Sequence, residues 1–351
     1  MKILAPSAAE LSRGRAATPI AFIRAIVLGY RLRGMDPASA LAQAQIPPTL
    51  LDDPQACVTA AQMELLSGLA MQALDDEALG WFSRRLPWGS YGMLCRASLS
   101  APTLEVALKR WCRHHRLLTE DIVFELIPPR FQQRASATIR VTEHRALGEL
   151  REFCLVSTLR YLLGYACWLV DSRIALTEAA FPFPAPAHAE AYAYLFAGPA
   201  RFSAEAAAIS FDARYLALPV RRDEKALQTM LQHALPLTVL QYRRDRLLVH
   251  SVGQILAADP AAAHTADDVA ARLNLSVRTL HRQLREEGVS LQRLKNDVRR
   301  ERAITLLLQT KKPVKQIAAE VGFDSEKSFA RAFREWTGAP PSAYRAGETI
   351  R

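Results

Sequence analysis

The amino-acid sequence predicts an α+β N-terminal domain followed by an all-α C-terminal domain with two helix-turn-helix units joined by a linker helix. Three observations predict this fold class. The chain has 351 residues, which is enough for two domains of about 100–200 residues each. Its apolar residues follow a helical period, then alternate, and then return to a helical period. Its C-terminal part contains an internal repeat.

The domain boundaries follow from changes in this pattern. We predict a tail at 1–17, the N-terminal domain at 18–220, a linker at 221–247 and the C-terminal domain at 248–351. The linker segment RRDEKALQTMLQHALPLTVLQYRRDRL is charged and helical, and Pro236 interrupts it, which is typical of a connector.

The first half of the N-terminal domain has helical spacing. In PIAFIRAIVLGYRLRG the apolar residues recur every three or four positions, and Gly34 ends the pattern. Asp36 and Pro37 then begin a short helix, because Asp is a good N-cap and Pro is tolerated in the first turn. The segments TAAQMELLSGLAMQAL and SAPTLEVALKRWCRHHRLL repeat the helical spacing.

The second half of this domain mixes strands and helices. In DIVFELIPPRFQQRASATIRV, Ile122, Phe124 and Leu126 occupy alternate positions before a proline turn, and Ile139 and Val141 do so after it, which predicts a β-hairpin. A helix is expected in ALGELREFCLVSTLRYLLGYACWLV. Two further strands are expected in RIALTEAAF and AAAISFDARYLAL, on either side of the helical AHAEAYAYLF. This combination is an α+β domain.

The charge balance favours a polyanionic partner. Lys and Arg outnumber Asp and Glu by 45 to 35, for a net charge of +10. Residues 248–351 contain 17 Lys and Arg against 12 Asp and Glu, so half of the excess lies in less than a third of the chain. Such a balance suits DNA, although a basic soluble enzyme can share it.

The sequence favours a soluble cytoplasmic protein without a metal or other cofactor. The five cysteines are widely spaced and form no CxxC pair, so reduced thiols are expected rather than a disulfide frame or a zinc site. The start MKILAPSAAELSRGR has too short an apolar run for a signal peptide. The stretch LVSTLRYLLGYACWLV is too short to span a membrane and contains Arg160.

The internal repeat has a spacing of 48 to 50 residues. VAARLNLSVRTLHRQLREEG at 269–288 aligns with IAAEVGFDSEKSFARAFREWTG at 317–338, and the apolar positions match, for example Leu280 with Phe329. Each copy is predicted to be a short helix, a tight turn and a second helix. This is a helix-turn-helix unit, whose second helix can lie in a DNA major groove.

The limits of the two units follow from their capping residues. Ser276 is expected to cap the second helix of the first copy, and Asp324 or Ser325 that of the second. The units are predicted at 266–287 and 314–337.

The outward faces of the two second helices supply the candidate DNA contacts, because Arg and Lys bond to guanine edges and to phosphates. The base-edge candidates are Arg278, His281, Arg282, Lys327 and Arg331. The phosphate candidates are Arg285 and Arg334. The remaining candidates, at the helix starts, are Ser276, Thr279, Ser325, Glu326 and Ser328. A solvated amphipathic helix would carry similar residues, but two aligned copies with matching cores favour DNA contact.

A single helix is predicted between the two units. SLQRLKNDVRRERAITLLLQ places Leu291, Leu294, Val298 and the run 304–308 on its inner side. Arg299, Arg300 and Arg302 lie along the same helix. Such a helix would fix the distance between the two units, for which one DNA turn of ~34 Å is the natural value.

A candidate effector pocket lies in the N-terminal domain. Trp88, Tyr91, Trp111, His115 and Arg116 combine aromatic and basic side chains, as a pocket for a small anionic or amino-acid effector does. Aromatic core packing with a surface arginine explains the same residues, and it is the commoner use of tryptophan.

Metal binding and catalysis have weaker support. Cys112 lies near His114 and His115, but neighbouring helical residues diverge by ~100° and no fourth ligand follows at a zinc-like spacing. The sequence contains no GxSxG, P-loop, HExxH or glycine-rich dinucleotide turn.

The C-terminal repeat resembles the DNA-binding domain of the AraC/XylS family of bacterial transcription regulators. The resemblance covers about 250–347, and GFDSEKSFARAFREWTGAPPSAYR is similar to the family signature. It implies that the base-edge candidates lie on two recognition helices, with Ala330 beside them in the second. Residues 18–220 resemble the arabinose-binding type of N-terminal domain found in a subset of the family that includes ornithine-utilisation regulators. That resemblance implies an effector-binding and dimerisation domain, not sugar binding.

The residues and the resemblance together predict a sequence-specific transcription regulator, an effector-responsive activator. Its expected partners are promoter DNA, RNA polymerase, an unknown small-molecule effector and a second copy of the chain. One alternative is a ligand-independent repressor or nucleoid-type DNA-binding protein. Another is a DNA-repair methyltransferase of the Ada type, which carries a similar DNA-binding module. That enzyme needs a cysteine nucleophile and a four-cysteine zinc cluster, which the cysteine spacings do not provide.

Overall fold

The computed structural model describes residues 16–129, 136–232, 247–260 and 264–345. The chain divides into two compact units, Met1–Arg243 and Arg244–Arg351. The described part of the first unit contains helices and strands, and that of the second contains helices alone. The predicted fold class is therefore confirmed, whereas the domain limits stay predictions.

The first unit contains eight α-helices in its described residues. They are α1 Ile20–Leu32, α2 Ala38–Gln43, α3 Ala60–Leu74, α4 Ser90–Leu99, α5 Leu104–Leu118, α6 Arg151–Val170, α7 Glu190–Phe196 and α8 Glu224–Gln232. Short 3-10 helices lie at Pro48–Asp52, Gly148–Leu150 and Ala213–Ala217. Side-chain caps begin two of the predicted helices, since Thr59 accepts the backbone N–H of Gln62 and Thr103 accepts that of Val106.

The strands of the first unit form two sheets. Two short strands, β1 Thr18–Pro19 and β2 Cys57–Val58, pair with each other. The other strands are β3 Ile122–Ile127, β4 Ser136–Glu143, β5 Leu176–Ala180, β6 Ala200–Arg201 and β7 Ala207–Asp212. They form one sheet in the order β3-β4-β7-β5-β6, in which β5 and β6 are parallel and the other pairs antiparallel.

The two paired strands of the predicted hairpin and both further strands are present in this sheet, whereas residues 130–135 of the turn lie outside the described residues. Phe124 faces Val141 across the β3–β4 pair, and Ile139 faces Ile209 across the β4–β7 pair, so the alternating residues form one buried face. The strands β1, β2 and β6 were not predicted, because two residues are too short to show a period.

The helix α6 is the core helix of the first unit. Together with the turn before it, at Gly148–Val170, it is long and apolar enough to cross a membrane by length and composition alone. Length therefore does not exclude a span, contrary to the sequence argument. However, 89% of its most apolar stretch is buried inside the unit, as in the core helix of a soluble domain. The buried Arg160 guanidinium lies 5.8 Å from the ring centroid of Phe196.

The loop after α3 is held tightly against α1. Asp76 is fully buried, pairs with Arg33 at 2.9 Å and accepts the backbone N–H groups of Ala78, Gly80 and Leu86. These bonds compensate the burial of the carboxylate. The loop backbone consequently comes into direct contact with the helix.

Replacing Gly29 with alanine is expected to destabilise the first unit by about 1–3 kcal/mol, because a methyl group there would overpack the core. The added Cβ would lie 2.6 Å from the backbone oxygen of Leu79. Urea unfolding measures the change. Gly253→Ala is the matched control, since that helical position has no atom within 4 Å of the added Cβ and should gain stability. Equal effects of both substitutions would contradict the proposed clash.

The first part of the predicted linker belongs to the first unit. In α8, Leu227 is fully buried, Glu224 pairs with Arg96 on α4 at 2.8 Å, and Leu231 lies against Gly92. The remainder of the predicted linker, 233–246, lies outside the described residues.

The described part of the second unit contains seven α-helices. They are α9 Leu247–Ala258, α10 Ala266–Arg272, α11 Val277–Glu286, α12 Leu291–Gln309, α13 Val314–Glu320, α14 Glu326–Thr337 and α15 Pro341–Arg345. Both helix-turn-helix units and the linker helix are confirmed. The prediction that 304–308 faces inward is wrong for Leu308, which is 61% exposed. Five consecutive residues exceed one helical turn and cannot all share one face.

Candidate nucleic-acid interface

Both helix-turn-helix units turn through a left-handed residue at the same position of the repeat. Asn274 has a φ of +53° and Gly322 a φ of +81°. In both copies the next residue, Leu275 or Phe323, donates its backbone N–H to the carbonyl five residues earlier at 2.9 Å. This is the hydrogen bond of a Schellman turn, and Gly and Asn are the residue types that adopt its left-handed position most readily. The predicted tight turn is present in both copies.

Serine caps begin the second helix of each unit. Ser276 Oγ accepts the backbone N–H of Thr279 at 3.1 Å, and Ser325 Oγ accepts that of Ser328 at 3.2 Å. The side-chain hydroxyls of Thr279 and Ser328 lie 2.8 and 2.9 Å from the capping oxygens. Ser325, rather than Asp324, is therefore the second cap. These four hydroxyl residues order the first helical turns, and their contact with DNA stays a prediction.

Each unit has its own hydrophobic core. The buried residues of the first core are Val252, Leu256, Val269, Ala270, Leu280, Leu284 and Leu291. Those of the second are Ala303, Leu306, Leu307, Ile317, Ala318, Val321, Phe329 and Phe333. The helix α12 contributes Leu291 to the first core and its last turns to the second. It therefore joins two cores that share no buried residue.

Three cations recur at the same positions of α11 and α14. The pairs, each separated by 49 residues, are Arg278 with Lys327, Arg282 with Arg331, and Arg285 with Arg334. At 100° per residue, the three positions of one helix lie within about 60° of each other around its axis. The buried pairs Leu280 with Leu284 and Phe329 with Phe333 lie on the opposite side. The repeat thus presents the same cationic line twice.

These cations are free to meet an anion. All six are exposed, as are His281 and Glu326 beside them. The structure describes one ion pair among the six, a 3.8 Å contact between Arg282 and Glu286, both about two-thirds exposed. Such a contact is worth little in water and does not hold the arginine in place.

Sequence reasoning did not anticipate the role of Arg299. Its guanidinium lies 5.4 Å from the ring centroid of Phe323, which belongs to the turn of the second helix-turn-helix unit. The same ring lies 5.6 Å from Phe329 and 5.8 Å from Trp336. Arg299 therefore covers the aromatic core by a cation–π contact. No local pattern signals this contact, because it joins two helices.

In the N-terminal compact unit, Met1–Arg243, the structure brings three of the five effector candidates together. Tyr91 on α4 lies 6.4 Å from Trp111 and 6.4 Å from His115, both on α5, measured between ring centroids. Trp111 and His115 are each 1% exposed. Trp88 is half-buried and makes no ring contact that the structure describes, and Arg116 is exposed. The predicted pocket thus loses its cation but keeps an aromatic cluster.

Lowering the pH from 6.5 towards 4 is expected to destabilise the first unit through His115. The imidazole contacts Phe82, Tyr91 and Phe124, and burial lowers its pKa from 6.5 to about 4. Below pH 6.5 the unfolded chain binds a proton that the folded chain excludes until about pH 4. The free energy of unfolding is therefore full above pH 6.5 and falls by about 3 kcal/mol over this window.

Urea unfolding at several pH values measures this effect. Trp336 is the one tryptophan after residue 168, so in a Trp336→Phe background tryptophan fluorescence follows the first unit alone. His115→Phe should flatten the dependence between pH 6.5 and 4. An unchanged slope in that variant would assign the effect to other groups.

Two family profiles match the chain. The profile described as the arabinose-binding domain of AraC transcription regulator, N-terminal, matches residues 34–220. A helix-turn-helix domain profile matches residues 269–347. The second match includes α11 and α14 completely and begins within α10.

Two curated relatives agree with these matches, and one solved structure is similar to part of the chain. The ornithine utilization regulator of Pseudomonas aeruginosa is 28% identical over 328 residues, which cover 93% of this chain and 96% of that protein. The arabinose operon regulatory protein of Escherichia coli is 38% identical over 80 residues, 22% of this chain and 27% of that protein. The solved C-terminal domain of AraT from Geobacillus stearothermophilus is 33% identical, covering 30% of this chain and 88% of its own, with a TM-score of 0.27.

Proposed function

Because this chain belongs to the AraC family of transcription regulators, with the arabinose-binding type of N-terminal domain, we propose that it reads two adjacent DNA major grooves with its two helix-turn-helix units. It is a DNA-binding transcription regulator, as its relatives are. The observation that carries the two-groove proposal is the duplicated line of exposed cations on α11 and α14.

The position of these cations along each helix supports groove reading. Arg278 and Lys327 are the second residues after the serine caps, and Arg282 and Arg331 follow one turn later. Residues on the early turns of a recognition helix reach the base edges, and later ones meet the phosphate backbone. The two arginines lead the set because their guanidinium groups can bond guanine O6 and N7 together.

The linker helix supports two grooves on one face of DNA. With 19 residues, α12 is about 28 Å long at 1.5 Å per residue. One turn of B-DNA is ~34 Å, which is the centre-to-centre distance of two major grooves on the same face. A helix of this length is of the right order to hold the two units one turn apart.

The experiment is in vitro selection of duplexes with the purified full chain, followed by footprinting. Two conserved blocks with centres about 10 base pairs apart are expected, each protected in the major groove. Methylation interference at guanine N7 assigns the groove. One conserved block, or two blocks on opposite faces of the duplex, would overturn the two-groove arrangement while leaving DNA binding intact.

The first unit is proposed to bind a small-molecule effector that shifts the protein between two states of DNA affinity. The family match over 34–220 supports this role. Activation rather than repression, homodimer formation, contact with RNA polymerase and a cytoplasmic location stay predictions. Transcription in vitro by RNA polymerase from a promoter next to a selected site, with and without the protein, tests the direction of regulation. Sedimentation equilibrium tests the dimer.

A further inference from the structure

The first unit contains buried ring nitrogens without partners, and three of them belong to Trp111 and His115. Within the described residues, five such nitrogens accept or donate no hydrogen bond: Trp81 Nε1, Trp111 Nε1, His114 Nδ1, His115 Nδ1 and His115 Nε2. Nearly all buried polar atoms in folded proteins have a partner. Each unpaired one costs about 1–3 kcal/mol. A group of them in one place indicates that something else supplies the partners.

Trp111 and His115 form the floor of this region. They are four residues apart on α5, and therefore lie on the same side of the helix. Both are 1% exposed, so bulk water does not reach their nitrogens. The indole offers one donor, and a neutral imidazole offers one donor and one acceptor. The floor thus presents three unused hydrogen-bonding positions.

Aromatic rings connect this floor with the surface. Tyr91 contacts both floor residues, and Tyr161 on α6 lies 5.8 Å from Trp111 and 5.1 Å from Tyr91 between centroids. Both tyrosines are half-buried, whereas the floor is fully buried. Tyr165 also packs on Trp111, with 4.9 Å between the ring centroids. The rings of two partly exposed tyrosines therefore lie against the residues that carry the unpaired nitrogens.

The charges around the cluster disfavour an anion. Glu77 is 8% exposed and accepts the backbone N–H groups of Gly89 and Tyr91, both at 2.7 Å. Its negative charge contributes to the raised pKa of Tyr91 and of Tyr161, after the larger effect of burial. On α5, Arg113 and Arg116 are exposed, and Arg110 donates to the Ser100 hydroxyl at 3.0 Å. No cation of the described residues pairs with a group in the cluster, so a carboxylate or phosphate ligand would be left without a counter-charge.

We propose that Tyr91, Trp111, His115 and Tyr161 form a binding site for an uncharged aromatic molecule that carries a carbonyl or hydroxyl oxygen. The ligand ring stacks against the tyrosines and Trp111. Its oxygen accepts the Trp111 N–H, and a hydroxyl or amide hydrogen pairs with the acceptor nitrogen of His115. The inference rests on the proposed role of the first unit as an effector domain, and names the class of effector.

The first test uses no ligand. His115→Phe removes both unpaired imidazole nitrogens and keeps an aromatic ring in the same place. If those nitrogens wait for a ligand, the variant should melt higher than the wild type in the absence of ligand, by about 2–4 °C for each kcal/mol recovered in a domain of this size. A lower melting temperature would mean that the imidazole is satisfied by bound water, and would overturn the proposal.

The second test adds probes to the full-length protein. Phenol, benzamide and benzyl alcohol represent the proposed class, and benzoate is the charged counterpart of benzamide. At least one uncharged probe should raise the melting temperature of the wild type, because a ligand of the folded state stabilises it. The shift should disappear in His115→Phe and Trp111→Phe, and persist in Trp336→Phe, which changes the same residue type in the other compact unit. No shift with any uncharged probe, or an equal shift with benzoate, would overturn the proposal.

Binding to the selected duplex is measured in parallel, with and without the active probe. The active probe should change the DNA affinity of the wild type, and should leave that of His115→Phe at its own value without probe. If DNA binding is retained while every probe fails, the DNA-reading function stands and the ligand inference alone fails. If DNA binding is absent in the wild type, the proposed function itself fails, whatever the probes do.

Discussion

Replacing Arg282 and Arg331 together with alanine is expected to weaken binding to the selected duplex by about 2–6 kcal/mol, from about 1–3 kcal/mol for each arginine that reads a base pair. Both are exposed, and they occupy equivalent positions of α11 and α14. Each single variant should relax the sequence preference in its own conserved block. Fluorescence anisotropy on the selected duplex and on duplexes mutated in one block measures both effects.

Two comparisons separate base reading from general attraction. Arg285→Ala with Arg334→Ala should weaken binding to all duplexes alike, and lower the slope of log K against log salt by about one for each lost phosphate contact. Arg84→Ala with Arg85→Ala removes two exposed arginines of the first unit and should change neither property. If the Arg282 and Arg331 variants keep their preference and lose salt dependence instead, the assignment of base and phosphate contacts is reversed.

The second unit was largely predictable because its determinants are local. Ser276 and Ser325 cap the helices that follow them, and Asn274 and Gly322 adopt the left-handed turn that their residue types allow. The repeat then identified the inward positions, since Leu280 and Phe329 are equivalent in the two copies and both are apolar. A residue that acts through its neighbours in sequence leaves a signal in the sequence.

The features that sequence reasoning missed depend on distant residues. Arg299 covers Phe323 only after α12 and the second turn pack together. The first part of the predicted linker forms α8, which packs on the first unit through the buried side chains of Leu227 and Met230. Arg116 follows His115 directly in sequence, yet helical geometry leaves it exposed while His115 is buried. Adjacent letters suggested one pocket that the fold divides between core and surface.

Replacing Phe329 with alanine is expected to destabilise the second helix-turn-helix unit by about 3–5 kcal/mol, the usual effect of truncating a buried phenylalanine. Phe329 is fully buried, and its ring lies 5.6 Å from those of Phe323 and Phe333. Because the two cores share no buried residue, and Tyr344 packs on the second core, the loss should be confined to α13, α14, α15 and the end of α12. Hydrogen exchange with peptide resolution measures this as faster exchange in those helices alone.

Leu280→Ala is the matched experiment, since Leu280 occupies the equivalent buried position of the first helix-turn-helix unit. It should accelerate exchange in α9, α10 and α11 and leave α13 and α14 protected. It should also abolish protection of the other conserved block in the footprint. The pair of variants therefore tests whether each helix-turn-helix unit folds on its own core and reads its own groove. If either substitution increases exchange in both helix-turn-helix units, α12 transmits the loss of stability from one to the other. The two units then unfold cooperatively, and the proposal that they act independently is wrong.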